Sequence, residues 1–184
     1  MKSIHCLIVL LCFSVFLQAQ DESVSKIRKN AFKTTFLSLF TGSTKLTYER
    51  ATTSHQSFEL TGGIIGVGND KFNVEPKGGL FRAAYKFMFF QPENAVLDGL
   101  YIKPEYAVSI FDHNKANMER VNSAMQTIMG CLGYQWSSNM LILDGFVGAG
   151  MGWGEPTGLR YHHGFIERYG WLTLTFGIKF GLAF

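Results

Sequence analysis

The chain has 184 residues and a formal net charge of +3, a length that suits one domain. Charged residues make up 17% of it, against roughly 25% in an average soluble domain, while phenylalanine reaches 17 and glycine 20. Lysine and arginine are scattered without a basic run, so a nucleic-acid footprint is absent and no nucleic-acid partner is expected.

The first residues read as a secretory leader. Lys2 gives a positive start, and Leu7 to Leu17 is an apolar run broken only by Ser14. That run is too short for a helical span of about 20 residues and fits the core of a signal peptide. Residues 1–20 are therefore expected to be removed, with cleavage after Ala19 or Gln20. Cys12 lies in the middle of the run behind Leu11, a poor setting for lipid attachment. Loss of the leader also removes Cys6 and Cys12 and leaves Cys131 alone, so no intrachain disulfide is expected.

Residues 21–29 are polar and charged and read as a periplasmic tail. Beyond them the chain breaks into eight strand-like pieces separated by turn residues. The first is Ala31 to Phe40, with Phe32, Phe36 and Phe40 on one parity. A short turn at Thr41-Gly42-Ser43 leads to the second, Thr44 to Arg50. The third, Ser57 to Ile65, sets Phe58, Leu60 and Ile64 against Glu59 and Thr61. The fourth, Gly79 to Phe90, sets Phe81, Ala83, Tyr85, Phe87 and Phe89 against Arg82 and Lys86.

The fifth piece, Gly99 to Phe111, alternates Leu100, Ile102, Tyr106, Val108 and Ile110 with Tyr101, Lys103 and Glu105. Pro104 removes a ladder donor and suggests a bulge there. The sixth, Val121 to Gln135, alternates poorly because Gln126 shares the parity of Ile128 and Leu132. The seventh is Met140 to Trp153. The eighth, Trp171 to Phe184, is the cleanest, with seven apolar residues at every even position from Leu172 onward.

A period of two places alternate side chains on opposite faces of a strand. In a sandwich the polar face would meet water, whereas in an outer-membrane barrel the apolar face meets lipid and the polar face the lumen; alternation alone does not choose, but segments long enough for a tilted span and an even strand count favour the barrel. Longer loops alternate with shorter turns, apart from the first hairpin. The expected fold is all-β, an eight-stranded antiparallel up-and-down transmembrane β-barrel over residues 30–184.

The stretch Trp171-Leu-Thr-Leu-Thr-Phe-Gly-Ile-Lys-Phe-Gly-Leu-Ala-Phe184 resembles the terminal strand of bacterial outer-membrane barrels. Asn30-Ala-Phe-Lys-Thr-Thr-Phe-Leu-Ser-Leu-Phe40 with Leu46-Thr-Tyr-Glu-Arg50 looks like the opening hairpin of small Bacteroidetes barrels of the OmpA-like or OmpX-like class. The resemblance implies that Ile178, Phe180, Leu182 and Phe184 form the signal read by the barrel-assembly machinery. It implies insertion in the outer membrane of a Gram-negative bacterium, with outer-membrane lipid, that machinery and periplasmic chaperones as partners. It assigns no catalytic residue and names no surface ligand.

An eight-stranded barrel is too narrow for a general diffusion pore. The polar parity would bring Lys33, Glu49, Glu59, Arg82, Lys86, Lys103, Glu105, Asp144 and Lys179 inside as a neutralised ionic network, since buried charges must be paired. His162 and His163 are weak metal candidates, because neighbours on a strand point opposite ways. No cofactor is expected. The glycine-rich Gly148 to Gly154 lacks the Lys-Ser or Lys-Thr end of a phosphate loop. Tyr48, Phe90, Tyr101, Phe111, Trp136, Trp153 and Trp171 fall near strand ends and read as interface belts. Two other readings stay open: a barrel enzyme acting on lipid or surface peptide, and a secreted soluble barrel that carries a ligand as lipocalins do.

Overall fold

The computed structural model describes residues 28–70, 73–91, 96–114, 119–154 and 172–184. Eight strands run in chain order: β1 (Asn30–Thr34), β2 (Ser43–Ala51), β3 (Gln56–Ile65), β4 (Lys77–Phe89), β5 (Gly99–Asn114), β6 (Arg120–Ser138), β7 (Leu141–Gly154) and β8 (Leu172–Ala183). Each pairs antiparallel with the next, and β1 pairs antiparallel with β8, so the sheet closes on itself as an all-β, up-and-down barrel. No helix among the described residues is long and apolar enough to cross a membrane, which leaves strand crossings untouched as a question.

The alternation of side chains builds the wall. Lys33, Glu49, Glu59, Arg82, Lys103 and Lys179 are buried inside, while Phe32, Leu60, Phe81, Ile102 and Phe180 are exposed outside. The apolar parity covers the outer face of all eight strands. This inverts the arrangement of a water-soluble globule, in which apolar side chains leave water and charges stay in it.

The first strand is shorter than its sequence suggests. Pairing stops at Thr34, and Phe36–Thr41 forms a 3-10 helix. Phe36, Leu37, Leu39 and Phe40 have the three- and four-residue spacings of a helical turn, and leucine is a strong helix former. The Ser38 hydroxyl donates to the Thr35 carbonyl at 2.6 Å. Gly42 ends the turn at φ 73°, a left-handed conformation that glycine adopts without a Cβ clash. The first connection therefore spans residues 35–42 rather than a tight three-residue turn. Consequently β1 pairs with only the last part of β8, from Thr34↔Phe180 to Ala31↔Ala183.

Pro104 carries no bulge. The β4–β5 register is the same on both sides of it, with Ala84↔Glu105 and Phe87↔Ile102 on one continuous diagonal. The missing N–H simply interrupts pairing with β4 opposite Tyr85, while Pro104↔Gly130 pairing with β6 persists. Gln126 does lie on the outward parity of β6, where its Oε1 accepts a 2.7 Å hydrogen bond from the Tyr106 hydroxyl.

Two of the supposed belt aromatics point the other way. Tyr101 and Phe111 occupy the inward parity of β5 and are fully buried inside the barrel. Position near a strand end does not decide facing; parity does. Trp136 and Trp153 are exposed outside, Tyr48 lies partly exposed on the same face, and Phe90 is exposed in the bend just beyond β4. Trp171 lies outside the described residues.

A candidate functional site in the barrel interior

The interior is stacked in layers. At the end where β1 begins and β8 ends, Ala31, Ala51, Met88, Leu97, Ile142 and Ala183 form an apolar floor. Leu97 enters from the connection between β4 and β5. Its carbonyl accepts from Gln135 Nε2 at 3.0 Å. The neighbouring Asp98 accepts from the Ser137 amide at 2.9 Å and from its hydroxyl at 3.2 Å. At the far end Ile65, Leu80, Phe111 and Met125 form a second apolar cluster.

Between these layers lie the nine charged residues expected inside; Lys45 of β2, not among them, shares the inward parity and is also buried. Lys33 comes from β1, Glu49 from β2, Glu59 from β3, Arg82 and Lys86 from β4, Lys103 and Glu105 from β5, Asp144 from β7 and Lys179 from β8. All nine are buried. Their heads converge. Lys33 Nζ reaches Glu49 at 2.7 Å and Asp144 at 2.7 Å, and also contacts Glu59. Lys86 lies 2.9 Å from Asp144, 3.1 Å from Glu59 and 3.3 Å from Glu49.

Glu59 is the hub. Its second oxygen accepts from Lys103 at 3.0 Å and Lys179 at 2.9 Å, so ammonium groups from four strands meet on one carboxylate. Lys103 continues to Glu105 at 3.0 Å, and Glu105 takes Arg82 Nη1 at 3.1 Å. The Arg82 Nε is buried without a partner. Moving a charge from water into such a setting is costly unless close pairing offsets it, so the layer holds together only as a set.

Neutral groups that the pattern of charges alone does not reveal complete the set. The Tyr101 hydroxyl donates to Asp144 at 2.5 Å. Gln135 Oε1 accepts from Lys86 at 2.6 Å and from Lys33 at 3.2 Å. Ser57 donates to Glu49 at 2.5 Å. Lys86 stands 4.1 Å from the Tyr101 ring centroid and Lys103 stands 4.6 Å from that of Phe146, within cation–π reach. The signal that could have found Tyr101, Gln135 and Ser57 is their shared inward parity with Lys103, Cys131 and Glu59.

This arrangement fills the barrel at mid-height. These buried side chains, paired with one another, occupy the interior at that level. Cys131 is buried beside it. On the neighbouring strand β7, Gly148 and Gly150 lie on the inward parity. A Cβ would meet Cys131 Sγ at 2.6 Å from the first and the Ile128 carbonyl at 2.0 Å from the second, so the glycine-rich stretch serves close strand packing. Nearer the far end, His113 Nδ1 lies 3.4 Å from Ser123 Oγ, a long contact between two buried side chains.

Ile178, Phe180 and Phe184 line the outer face of β8 and its end with Leu182, all exposed. His162 and His163 lie outside the described residues. Among the described residues no group of three or more His, Cys, Asp or Glu side chains is placed to hold a metal ion. No protein-family model matches the chain, and neither a curated protein nor a solved structure matches it.

Proposed function

We propose that residues 30–184 form a membrane-spanning barrel of a Gram-negative outer membrane, exported behind a cleaved leader formed by residues 1–20. Its role is to stabilise the envelope or to present loops for surface binding, with a sealed interior rather than a diffusion pore. The observation that carries this reading is the inversion of the wall. Charged side chains fill the inside, and Phe32, Leu46, Ile64, Phe81, Ile128, Val147 and Phe180 are all about half exposed outside. In water that outer surface would be a far larger apolar patch than soluble monomers tolerate. In lipid it is the favourable face.

The dimensions support the same reading. The outward face of β5 is uncharged from Leu100 to Ile110, and Asp112 follows on the same parity. At about 3.4 Å per residue and a tilt near 45°, that stretch rises about 25 Å, the height of a lipid-facing band. Tyr48 and Trp136 stand towards the end where β1 begins and β8 ends, and Trp153 towards the other. The closed sheet also leaves no long open edge in lipid, where unpaired backbone groups are very costly.

The outward Ile178, Phe180, Leu182 and Phe184 suit recognition by the barrel-assembly machinery, the role that their resemblance to terminal barrel strands implies. A soluble ligand carrier with the same strand count would need apolar side chains around an internal cavity, the opposite of this interior. Expression of the full chain, carbonate washing of the membranes and gel migration with and without boiling test the reading. Retention in the washed membranes with faster migration of the unboiled form is expected. Release into the aqueous fraction would favour the soluble carrier instead.

A further inference from the structure

Arg50 is the only charged residue on the outward face of β2, and it stands at the rim where β1 begins and β8 ends. Its lateral neighbours in the register are Asn30 on one side and Phe58 on the other. Lys29 is held next to the same strand end, because its carbonyl accepts from the Ala51 amide at 2.8 Å. Both cations are exposed, and neither forms an ion pair among the described residues.

Directly beside them lies a continuous aromatic surface. Phe32 and Tyr48 have ring centroids 5.4 Å apart, Tyr48 and Phe58 6.2 Å, and Phe32 and Phe184 5.6 Å. The Tyr48 hydroxyl donates to Asn30 Oδ1 at 2.8 Å, which fixes the polar edge of that surface towards the rim. Leu46 and Leu60 continue it along the wall, both exposed. Elsewhere around this rim the outward side chains are Phe87, Phe89, Leu100, Tyr134, Trp136 and Leu141, and Arg28 donates to the Asn139 carbonyl at 2.7 Å at the turn between β6 and β7.

We propose that this sector is a docking site for a single anionic phospholipid. Arg50 and Lys29 take the phosphate, and the rings of Phe32, Tyr48 and Phe58 with Leu46 and Leu60 take the acyl chains. The proposal rests on the membrane reading above. Charge complementarity selects the occupant, since two unpaired cations meet an apolar wall at one edge. The guanidinium presents a planar fork that matches phosphate, and its stem lies along apolar surface while the head reaches the interface.

The test uses the folded, full-length mature barrel in neutral detergent. Native mass spectrometry would count retained phosphatidylglycerol and, separately, zwitterionic phosphatidylethanolamine. Preferential retention of one phosphatidylglycerol is expected. Arg50→Gln should weaken it about fivefold, the effect of removing one basic group near a membrane surface. Lys77→Gln, at the opposite end, should leave it unchanged, and millimolar inorganic phosphate should not displace it. Equal retention of both lipids, an unaltered Arg50→Gln variant or displacement by free phosphate would each overturn the site. Unchanged heat-dependent gel migration of Arg50→Gln verifies that the variant is folded. A chain that never needs detergent defeats the membrane reading itself, whereas a detergent-requiring barrel that ignores the headgroup defeats only the site.

Discussion

Lys179 and Glu59 are 120 positions apart in the chain, yet the lysine ammonium lies 2.9 Å from the carboxylate inside the barrel. The contact spans the interior from β8 to β3, and it exists only because the sheet closes. Lys33, Lys86 and Lys103 converge on the same carboxylate. Glu59 thus joins strands β1, β3, β4, β5 and β8 more directly than any single ladder does.

Removing that hub should be severe. Glu59→Gln leaves four buried ammonium groups short of a common counter-charge, and breaking a buried pair costs about 3–5 kcal/mol. The Asp112–Arg120 pair is the contrast: it is 4.0 Å long with its side chains 46% and 40% exposed. Asp112→Asn should change stability by less than about 1 kcal/mol. Urea titration of the refolded barrels, followed by tryptophan fluorescence, measures both. Equal midpoints for Glu59→Gln and Asp112→Asn would count against the hub.

Tyr101 should act as a structural member of the ionic layer and not as an interface anchor. Tyr101→Phe removes one hydroxyl that donates to a buried carboxylate at 2.5 Å while keeping the ring. A loss of about 1.5–3 kcal/mol is expected, the range for hydrogen bonds to charged groups. Trp136→Phe, on the outer wall, should shift tryptophan emission with a smaller effect on stability. The same urea titration ranks the two variants, and a harmless Tyr101→Phe would show that the hydroxyl is dispensable.

Glycines on the two faces should respond differently to an added methyl group. A Cβ at Gly133 would sit 2.4 Å from the Tyr101 ring inside the barrel, whereas one at Gly130 meets nothing within 4 Å. Gly133→Ala should therefore cost about 1–3 kcal/mol through overpacking, and Gly130→Ala should be close to neutral or slightly stabilising. Thermal loss of the fast-migrating form on gels compares them. The reverse order would contradict the inward assignment of this parity.

A charge placed on the outer wall probes the surrounding solvent. Ile128 is outward, 55% exposed and paired with Tyr106 and Met151 on its neighbours. In a lipid-facing position Ile128→Arg should destabilise by about 2–4 kcal/mol near mid-depth, falling towards zero near the interfaces. The matching test is refolding into vesicles at increasing urea. In water the same substitution would be nearly free, so an unaffected variant would point away from lipid contact.

Much of this architecture is legible in the chain because a strand reports facing at every second residue. The alternation from Gly79 to Phe89 separates Arg82 and Lys86 from Phe81 and Phe87 without any tertiary information. Facing alone does not give height. That Lys179 meets Glu59 and not Glu105 depends on the stagger between strands, which accumulates around the barrel and is invisible in one strand's pattern. The stretch from Phe36 to Phe40 misleads for a different reason: its apolar residues fit both a period of two and a helical turn, and the turn wins where β1 stops pairing. Tyr101 and Phe111 lie near strand ends, where interface aromatics gather, but parity decides their facing, and Lys103 and Glu105 share it.

The central claim is that the apolar face meets lipid while the charged face is sealed inside. Nitroxide labels at Val147, outward on β7, and at Thr127, inward on β6, test it in reconstituted vesicles. Collision with lipid-soluble oxygen and with a water-soluble nickel complex would be measured at each site, with heat-dependent gel migration as the check on folding. The account predicts that a label at Val147 collides with oxygen and is shielded from nickel, and that one at Thr127 is shielded from both. Strong nickel collision at Val147 in the folded protein would contradict it.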